Sequence, residues 1–111
     1  MNKKEKTLLE NLPKHKDYLK QQLREDSEYA QMWLNSMLED YSETNDVNEL
    51  VYNLKPLIEA NYTICEFANL IGIHRITLYK IFSKKMIPSL EVLHKIFAGL
   101  GYNLQISVQK V

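Results

Sequence analysis

The chain has few of the residues that cross-link, bend or interrupt a protein. Its 111 residues include one cysteine, three glycines and three prolines. Cys65 has no partner for an internal disulfide, and one thiolate is too few for a cysteine-based metal site. Because glycine and proline interrupt helices, their scarcity favours a helical protein, and all three glycines lie after residue 70.

Long apolar runs are absent as well. No stretch is long enough to span a membrane, and the basic first residues, MNKKEKTLLENLPKHK, contain no apolar segment of the length found in signal peptides. We therefore expect a soluble cytoplasmic protein whose lone cysteine stays reduced. A length of 111 residues is typical of one compact domain with a core of its own.

Cations are missing from the middle of the sequence. Residues 25–50 contain eight carboxylates and no lysine or arginine, a formal charge of −8. Residues 1–24 and 51–111 each contain seven cations and three carboxylates, so each carries +4 and the sum is zero. A block of like charge is typical of a solvated helix face, and alternatively of a surface that binds a basic partner.

The sequence contains no arrangement of residues typical of an active site. No glycine-rich phosphate loop is present, and no nucleophile, base and orienting group occur at a sensible spacing. The histidines, His15, His74 and His94, each lack a second ligand at metal-binding spacing. We predict that the protein is not an enzyme and uses neither a cofactor nor a metal.

Apolar residues at helical spacing begin near residue 14. A first helix over 14–24 would place Leu19 and Leu23 one turn apart. A second helix from about Ser27 would bury a stripe that steps by four, three and four residues. That stripe consists of Ala30, Leu34, Met37 and Tyr41.

A third helix is predicted after the polar stretch SETNDV. Asp46 would be its N-cap, and Glu49 three residues later would complete an approximate capping box. Because Pro56 removes a backbone donor and clashes with the preceding turn, we expect a kink or a break near Leu54. The predicted buried face consists of Val47, Leu50, Val51, Leu54, Leu57 and Ile58.

The stretch TICEFANLIGIHRITLYKIF predicts two short helices separated by Gly72. Thr63 and Glu66 form a capping box at the start of the first, and a glycine suits the left-handed residue that ends many helices. The second helix would begin near His74. The small Ala68, one turn before Gly72, would let the two helices cross closely, as in a helix-turn-helix.

The second of these helices has a basic outer face, which points to the major groove of DNA. His74, Arg75, Thr77 and Lys80 are predicted to point away from the core. Arg75 is the best candidate for base readout, because its guanidinium can bind the O6 and N7 of guanine together. Candidates for phosphate contacts are Thr63, Thr77, Ser83 and Lys84, and Lys80 is a candidate for either a base edge or a phosphate. The macrodipole alone would also favour Lys84 and Lys85 at a helix C-terminus.

The end of the chain changes its period. Ser89 is predicted to cap a helix with Leu90, Leu93, Phe97 and Leu100 facing inward, and Gly101 to close it. Leu104, Ile106 and Val108 then alternate with polar residues, which predicts a β-strand. Since the chain offers no partner strand, we expect this segment to pair with a second copy or with another protein.

From about residue 18 to residue 108 the chain resembles the addiction-module antidotes, which are HigA-like type II antitoxins with an Xre-type helix-turn-helix. The motifs that carry the resemblance are YAQMWLNSMLED, GIHRITLYKIFS and IPSLEVLHKIFAGLGYNL, in the family's order. Positions that match the family's recognition helix and the start of its next helix are Arg75, Leu78, Tyr79, Pro88 and Ser89. Ile87, Gly99 and Pro56 depart from the family's pattern.

The resemblance implies an antitoxin that neutralises a ribonuclease toxin of the RelE and HigB type and represses their shared promoter. Ile76 and Tyr79 then join the candidate DNA contacts. Because such toxins tend to be basic, Glu25, Asp26, Glu28, Glu39 and Asp40 are the predicted toxin-binding surface. The alternatives are a stand-alone Xre-type regulator and a protein-interaction module that has lost DNA binding, which the apolar Ile76 beside Arg75 favours.

The predicted fold class is all-α, with five to six short helices, a lambda-repressor-like helix-turn-helix and a short C-terminal β-strand. Residues 1–13 are predicted to be a flexible N-terminus, 14–45 a helical pair, 46–101 the helix-turn-helix core and 102–111 the strand. We further expect a homodimer, joined through Leu104, Ile106 and Val108, that presents two recognition helices to DNA half-sites roughly 34 Å apart.

Overall fold

The computed structural model describes residues 15–111, and the side chains from Tyr18 onward. The predicted flexible N-terminus, residues 1–13, lies outside the described residues. The described part is helical, as predicted, and its helices are α1 (His15–Glu25), α2 (Ser27–Thr44), α3 (Val47–Glu59), α4 (Ile64–Ile71), α5 (Arg75–Phe82) and α6 (Leu90–Gly99). No helix in this part is long and apolar enough to cross a membrane.

Helices α1 and α2 contact each other, and both pack against α3. Only Asp26 separates them, and its carboxylate caps α2 by accepting the N–H of Tyr29 at 3.0 Å. α2 ends at Asn45, which adopts a left-handed conformation with φ 56°, a conformation that asparagine tolerates better than most residues. The predicted stripe of α2 is confirmed, since Ala30, Leu34 and Met37 are buried and Tyr41 is half-buried.

Helix α3 lies at the centre of the fold and contacts α1, α2, α4 and α5. The break expected near Leu54 is wrong, because α3 runs without interruption to Glu59. Pro56 lies in the last turn, and the carbonyl that it leaves without a donor belongs to Tyr52, an exposed residue that water can reach. Burial of Leu54 and Ile58 on either side of the proline outweighs its cost.

One apolar core joins α2 to α6. Its fully buried side chains are Val51, Leu54, Ile58, Phe67, Leu78, Ile81 and Ile96. A smaller cluster of Leu23, Ala30, Leu57 and Ala60 holds α1 to α2 and α3. Trp33 and Leu100 pack against both clusters, so the helical pair is continuous with the rest of the core.

Helix α6 begins as predicted but buries a different set of residues. The hydroxyl of Ser89 accepts the N–H of Val92 at 3.2 Å, and Gly101 follows the helix with φ 90°. Leu90, predicted to face inward, is exposed because it lies at the first position of the helix, beyond the edge of the core. Ile96 and Phe97 are the buried residues of α6.

The predicted C-terminal strand is wrong: residues 102–111 form neither strand nor helix. A strand needs a neighbour to bond its amides and carbonyls, and the described residues contain no other strand. Leu104 instead packs against the core, whereas Ile106 and Val108 are exposed. Of the three alternating apolar residues, only Leu104 therefore contacts the core, and the other two side chains are exposed to solvent.

Gly99, in the last turn of α6, marks a close approach between α6 and α4. A Cβ atom at this position would lie 2.5 Å from Cγ2 of Ile71 and 2.9 Å from Cε1 of Phe67. We expect Gly99→Ala to lower the free energy of unfolding by about 1–2 kcal/mol, because overpacking a core typically costs more than the 0.5–1 kcal/mol that alanine gains over glycine in a helix.

Urea denaturation of Gly99→Ala checks this prediction. In an Ile71→Ala background, which removes Cγ2, the same change should cost distinctly less. If Gly99→Ala is as stable as the parent chain, the side chains of Phe67 and Ile71 can move aside at no cost in stability. The close approach would then not restrict the residue type at position 99.

Candidate nucleic-acid interface

The connection between α4 and α5 is the tight turn predicted from the sequence. Gly72 ends α4 in a left-handed conformation with φ 73° and ψ 33°, and its N–H bonds to the carbonyl of Ala68. The N–H of Ile73 bonds to the same carbonyl at 3.0 Å. An added Cβ at Gly72 would meet nothing within 4 Å, so glycine is favoured here by the positive φ and not by crowding.

Both helices of this unit are capped by side chains. The hydroxyl of Thr63 accepts the N–H of Glu66 at 3.1 Å, and the carboxylate of Glu66 accepts the N–H of Thr63 at 3.2 Å. The predicted capping box of α4 is therefore confirmed. His74 is the N-cap of α5, and its Nδ1 accepts the N–H of Ile76 at 3.2 Å.

Buried residues fix the orientation of α5 on the body of the protein. Leu78 and Ile81 are fully buried and Phe82 nearly so, and α5 packs against both α3 and α4. Ala68 of α4 is also buried, as expected for a small residue where two helices cross. One face of α5 is therefore buried in the core, and the opposite face is exposed to solvent.

The presented face of α5 carries Arg75, Ile76, Tyr79 and Lys80, all of which are exposed. Thr77, predicted to point outward with them, is half-buried. It lies on the flank of the helix, four residues before the buried Ile81, and side chains four apart share a face. The outward group is therefore two cations and two large apolar side chains.

After Glu66 in the first turn of α4, this unit carries only basic charges. From Phe67 to Leu90 the sequence contains no carboxylate and four cations. Within the described residues, Arg75, Lys80 and Lys85 have no carboxylate within ion-pair distance. A ligand with negative charges can reach these three groups without first displacing an internal partner.

Lys84 is placed differently from the other cations. Its Nζ lies 3.2 Å from a carboxylate oxygen of Glu49 and 5.3 Å from the centre of the Tyr52 ring, so the side chain is turned towards α3. Its backbone is left-handed, with φ 63°. Only half of the predicted capping box forms at α3: Asp46 accepts the N–H of Glu49 at 3.2 Å, while the carboxylate of Glu49 contacts Lys84.

Glu49 is the residue that sequence reasoning missed at this site. It is 35 positions from Lys84, and its spacing from Asp46 signals only a local cap. No sequence signal relates the two residues, because their contact depends on how α5 packs on α3. The predicted role of Lys84 as a phosphate contact stays a prediction.

Two other predicted phosphate contacts have partners within the chain. The hydroxyl of Ser83 donates to the carbonyl of Lys80 at 3.2 Å. Thr63 is exposed at the N-terminus of α4, but the carboxylate of Glu66 bonds to its amide. That negative charge weakens the attraction of the α4 N-terminus for a phosphate.

The predicted toxin-binding carboxylates are exposed along the outer side of the helical pair. Glu25 ends α1, Asp26 joins the helices, and the other three lie on α2. Glu28 and Glu39 are eleven residues apart, which is three helical turns and roughly 16 Å, so they share one face. The exposed Met32 and Asn35 lie between them on that face. None of the five has an ion-pair partner among the described residues.

The described residues show no grouping that could hold a metal ion. No three His, Cys, Asp or Glu side chains come together in this part of the chain. Cys65 is exposed in the first turn of α4. Residues 63–85 thus present an exposed face with cations and, in Cys65, one exposed thiol.

Comparisons with known proteins identify one relationship. The model of a family described as probable addiction module antidote protein matches residues 14–108. Neither the curated proteins nor the solved structures contain a significant match. The match covers the described chain except its last three residues, and it includes every residue considered above for binding.

Proposed function

The chain belongs to the family of probable addiction module antidote proteins, and from this premise we propose that it is an antitoxin that binds the promoter of its own operon through α5 and neutralises a ribonuclease toxin. The antidote resemblance seen in the sequence is confirmed by the family match. The family also agrees with the prediction that the chain is not an enzyme. Its HigA-like and Xre-type character stays a prediction.

The observation that supports DNA binding best is the presented face of α5. A short helix is held by Leu78 and Ile81 with Arg75 and Lys80 outward, behind a turn that the left-handed Gly72 makes tight. A protruding helix of this kind fits the major groove. The neutral total charge does not oppose it, because salt-dependent affinity follows the phosphates actually contacted.

The proposed contact with a toxin rests on the separation of charge within the chain. The cations of α5 and the carboxylates of α2 belong to different helices with no ion pair between them in the described residues. A protein that binds RNA through a basic surface would be attracted to α2 and repelled by α5. The chain would then hold DNA and toxin on different surfaces.

A double charge reversal on α2, Glu28→Lys with Glu39→Lys, tests this surface. Each residue is exposed and without an ion-pair partner in the described chain, so we expect unchanged folding and at least a ten-fold loss of toxin affinity by calorimetry. The toxin to be tested is the product of any small toxin-like reading frame found beside the gene. If no such reading frame lies beside the gene, the function of a stand-alone regulator is favoured.

The control is Glu91→Lys on α6, an exposed carboxylate outside the acidic block, which, unlike Glu28 and Glu39, has an ion-pair partner, Lys95, at 3.5 Å. It should bind the toxin as the parent does. If the double variant keeps full toxin affinity while its thermal unfolding is unchanged, α2 is not the toxin-binding surface.

The exposed Ile76 favours a second candidate function, a protein-interaction module that uses α5 to bind another protein. An apolar side chain in the centre of a presented face is common in protein interfaces. This candidate requires that the chain show no preference for its own promoter over scrambled DNA. The four cations and the missing carboxylates around Ile76 favour the nucleic acid.

A further inference from the structure

Ile76 is the residue of α5 that projects most directly away from the protein. At about 100° per residue, the direction opposite the mean of Leu78, Ile81 and Phe82 passes closest to Ile76, with Lys80 one turn later. The side chain of Ile76 is 52% exposed. A helix that inserts into a groove along this direction places Ile76 at its deepest point.

Tyr79 extends the apolar surface of Ile76. The two residues are three positions apart, so their side chains are neighbours on the helix, and Tyr79 is as exposed as Ile76. Arg75 and Lys80 lie on either side of this pair. Ile76 thus lies nearest the outward direction, with Lys80 beside it, and Tyr79 and then Arg75 lie further round the helix.

Only one feature of DNA in the major groove is apolar. The edge of each base pair presents donors and acceptors, and thymine alone adds a C5-methyl group. An exposed isoleucine that enters the groove has no hydrogen bond to offer and gains by covering a methyl group. Lys80 suits a flanking phosphate, because no carboxylate occurs from residue 67 to residue 90.

We propose that Ile76, supported by Tyr79, is a specificity-determining residue that reads thymine through its C5-methyl group. The inference rests on the proposed function, since it assumes that α5 enters the major groove. The proposal predicts that each DNA half-site contains at least one thymine at which the protein distinguishes the C5-methyl group from a hydrogen. Arg75 supplies the complementary readout of guanine at another base pair.

Substitution of deoxyuridine for thymine tests this directly, because it removes the methyl group and leaves base pairing intact. The probe is a duplex from upstream of the gene, in which each thymine is replaced in turn. For the parent chain, at least one replacement in each half-site should weaken binding by about four-fold, the effect of one buried methyl group. Binding is measured by fluorescence anisotropy at a fixed salt concentration.

The same replacements are then measured with Ile76→Ala. If Ile76 contacts the methyl group, the sensitive position should lose its sensitivity, with less than about 1.5-fold between the two duplexes. The matched control is Leu70→Ala on α4, a leucine that is 55% exposed but not on α5, and it should keep the four-fold effect. Both exposed residues are expected to leave thermal unfolding unchanged.

Three results would overturn the inference. Specific binding without any uridine-sensitive thymine would reject methyl readout and leave the proposed function intact. A sensitivity that persists in Ile76→Ala would assign the methyl contact to another residue. If the parent chain shows no preference for its own promoter, and Ile76→Ala instead weakens binding to a partner protein, both the methyl readout and the proposed DNA binding are wrong.

Discussion

Replacing Leu78 with alanine is expected to lower the free energy of unfolding by about 2–5 kcal/mol and to abolish binding through α5 at physiological temperature. Leu78 has 0% exposure and lies at the junction of α5 with α3 and α4. Truncation removes apolar contacts and leaves a cavity, and both losses fall on the residue that orients the presented face. Urea denaturation followed by circular dichroism gives the free energy.

The matched control for Leu78→Ala is Ile76→Ala in the same helix. It removes a similar volume from a side chain that is exposed, so we expect a change within about 0.5 kcal/mol. Equal effects of the two substitutions would contradict the orientation of α5 described above, since that orientation makes one residue core and the other surface.

Replacing Arg75 with alanine is expected to weaken binding to the chain's own promoter by roughly 5- to 150-fold, corresponding to about 1–3 kcal/mol for a bidentate contact with guanine. Arg75 is exposed in the first turn of α5 and has no carboxylate partner in the described residues. Its loss should therefore leave folding unchanged. Anisotropy titrations with promoter and scrambled duplexes measure the effect.

The sequence supplies the control for Arg75→Ala, because Arg24 is its other arginine. Arg24 lies on α1 and donates to the carbonyl of Ala60 at 3.3 Å, so Arg24→Ala should keep promoter affinity. Arg75→Lys separates the roles of charge and geometry. It should retain the dependence on salt while losing preference for the promoter, since lysine cannot make the bidentate contact.

Features that depend on neighbouring residues could be read from the sequence. The capping box of Thr63 and Glu66, the left-handed Gly72 and the caps of Asp46 and Ser89 each involve residues within four positions, so their residue types determine the local backbone. The buried stripes of α2 and α3 were predictable for the same reason. Helical spacing is a local property that the folded core preserves.

Features that depend on distant partners could not be read in this way. The strand predicted over the last ten residues follows the rule of alternation, but a strand exists only where another strand bonds to it, and the described chain supplies none. The continuity of α3 through Pro56 is decided by the burial of Leu54 and Ile58. The contact of Lys84 with Glu49 arises only when α5 is packed on α3.

The structural role of Gly99 depends on contacts that form only in the folded chain. In the sequence it is a departure from the antidote pattern, which usually has alanine there. In the structure it is where α6 approaches Phe67 and Ile71 too closely for a Cβ atom.

The most direct test of the account is the affinity of the purified chain for DNA from upstream of its own gene, measured against scrambled DNA of equal length across several salt concentrations. We predict tighter binding to the promoter, with the logarithm of the association constant falling linearly with the logarithm of salt concentration, because the protein's cations displace counterions from the DNA phosphates. Equal affinity for the two duplexes at every salt concentration would contradict sequence-specific DNA binding by α5.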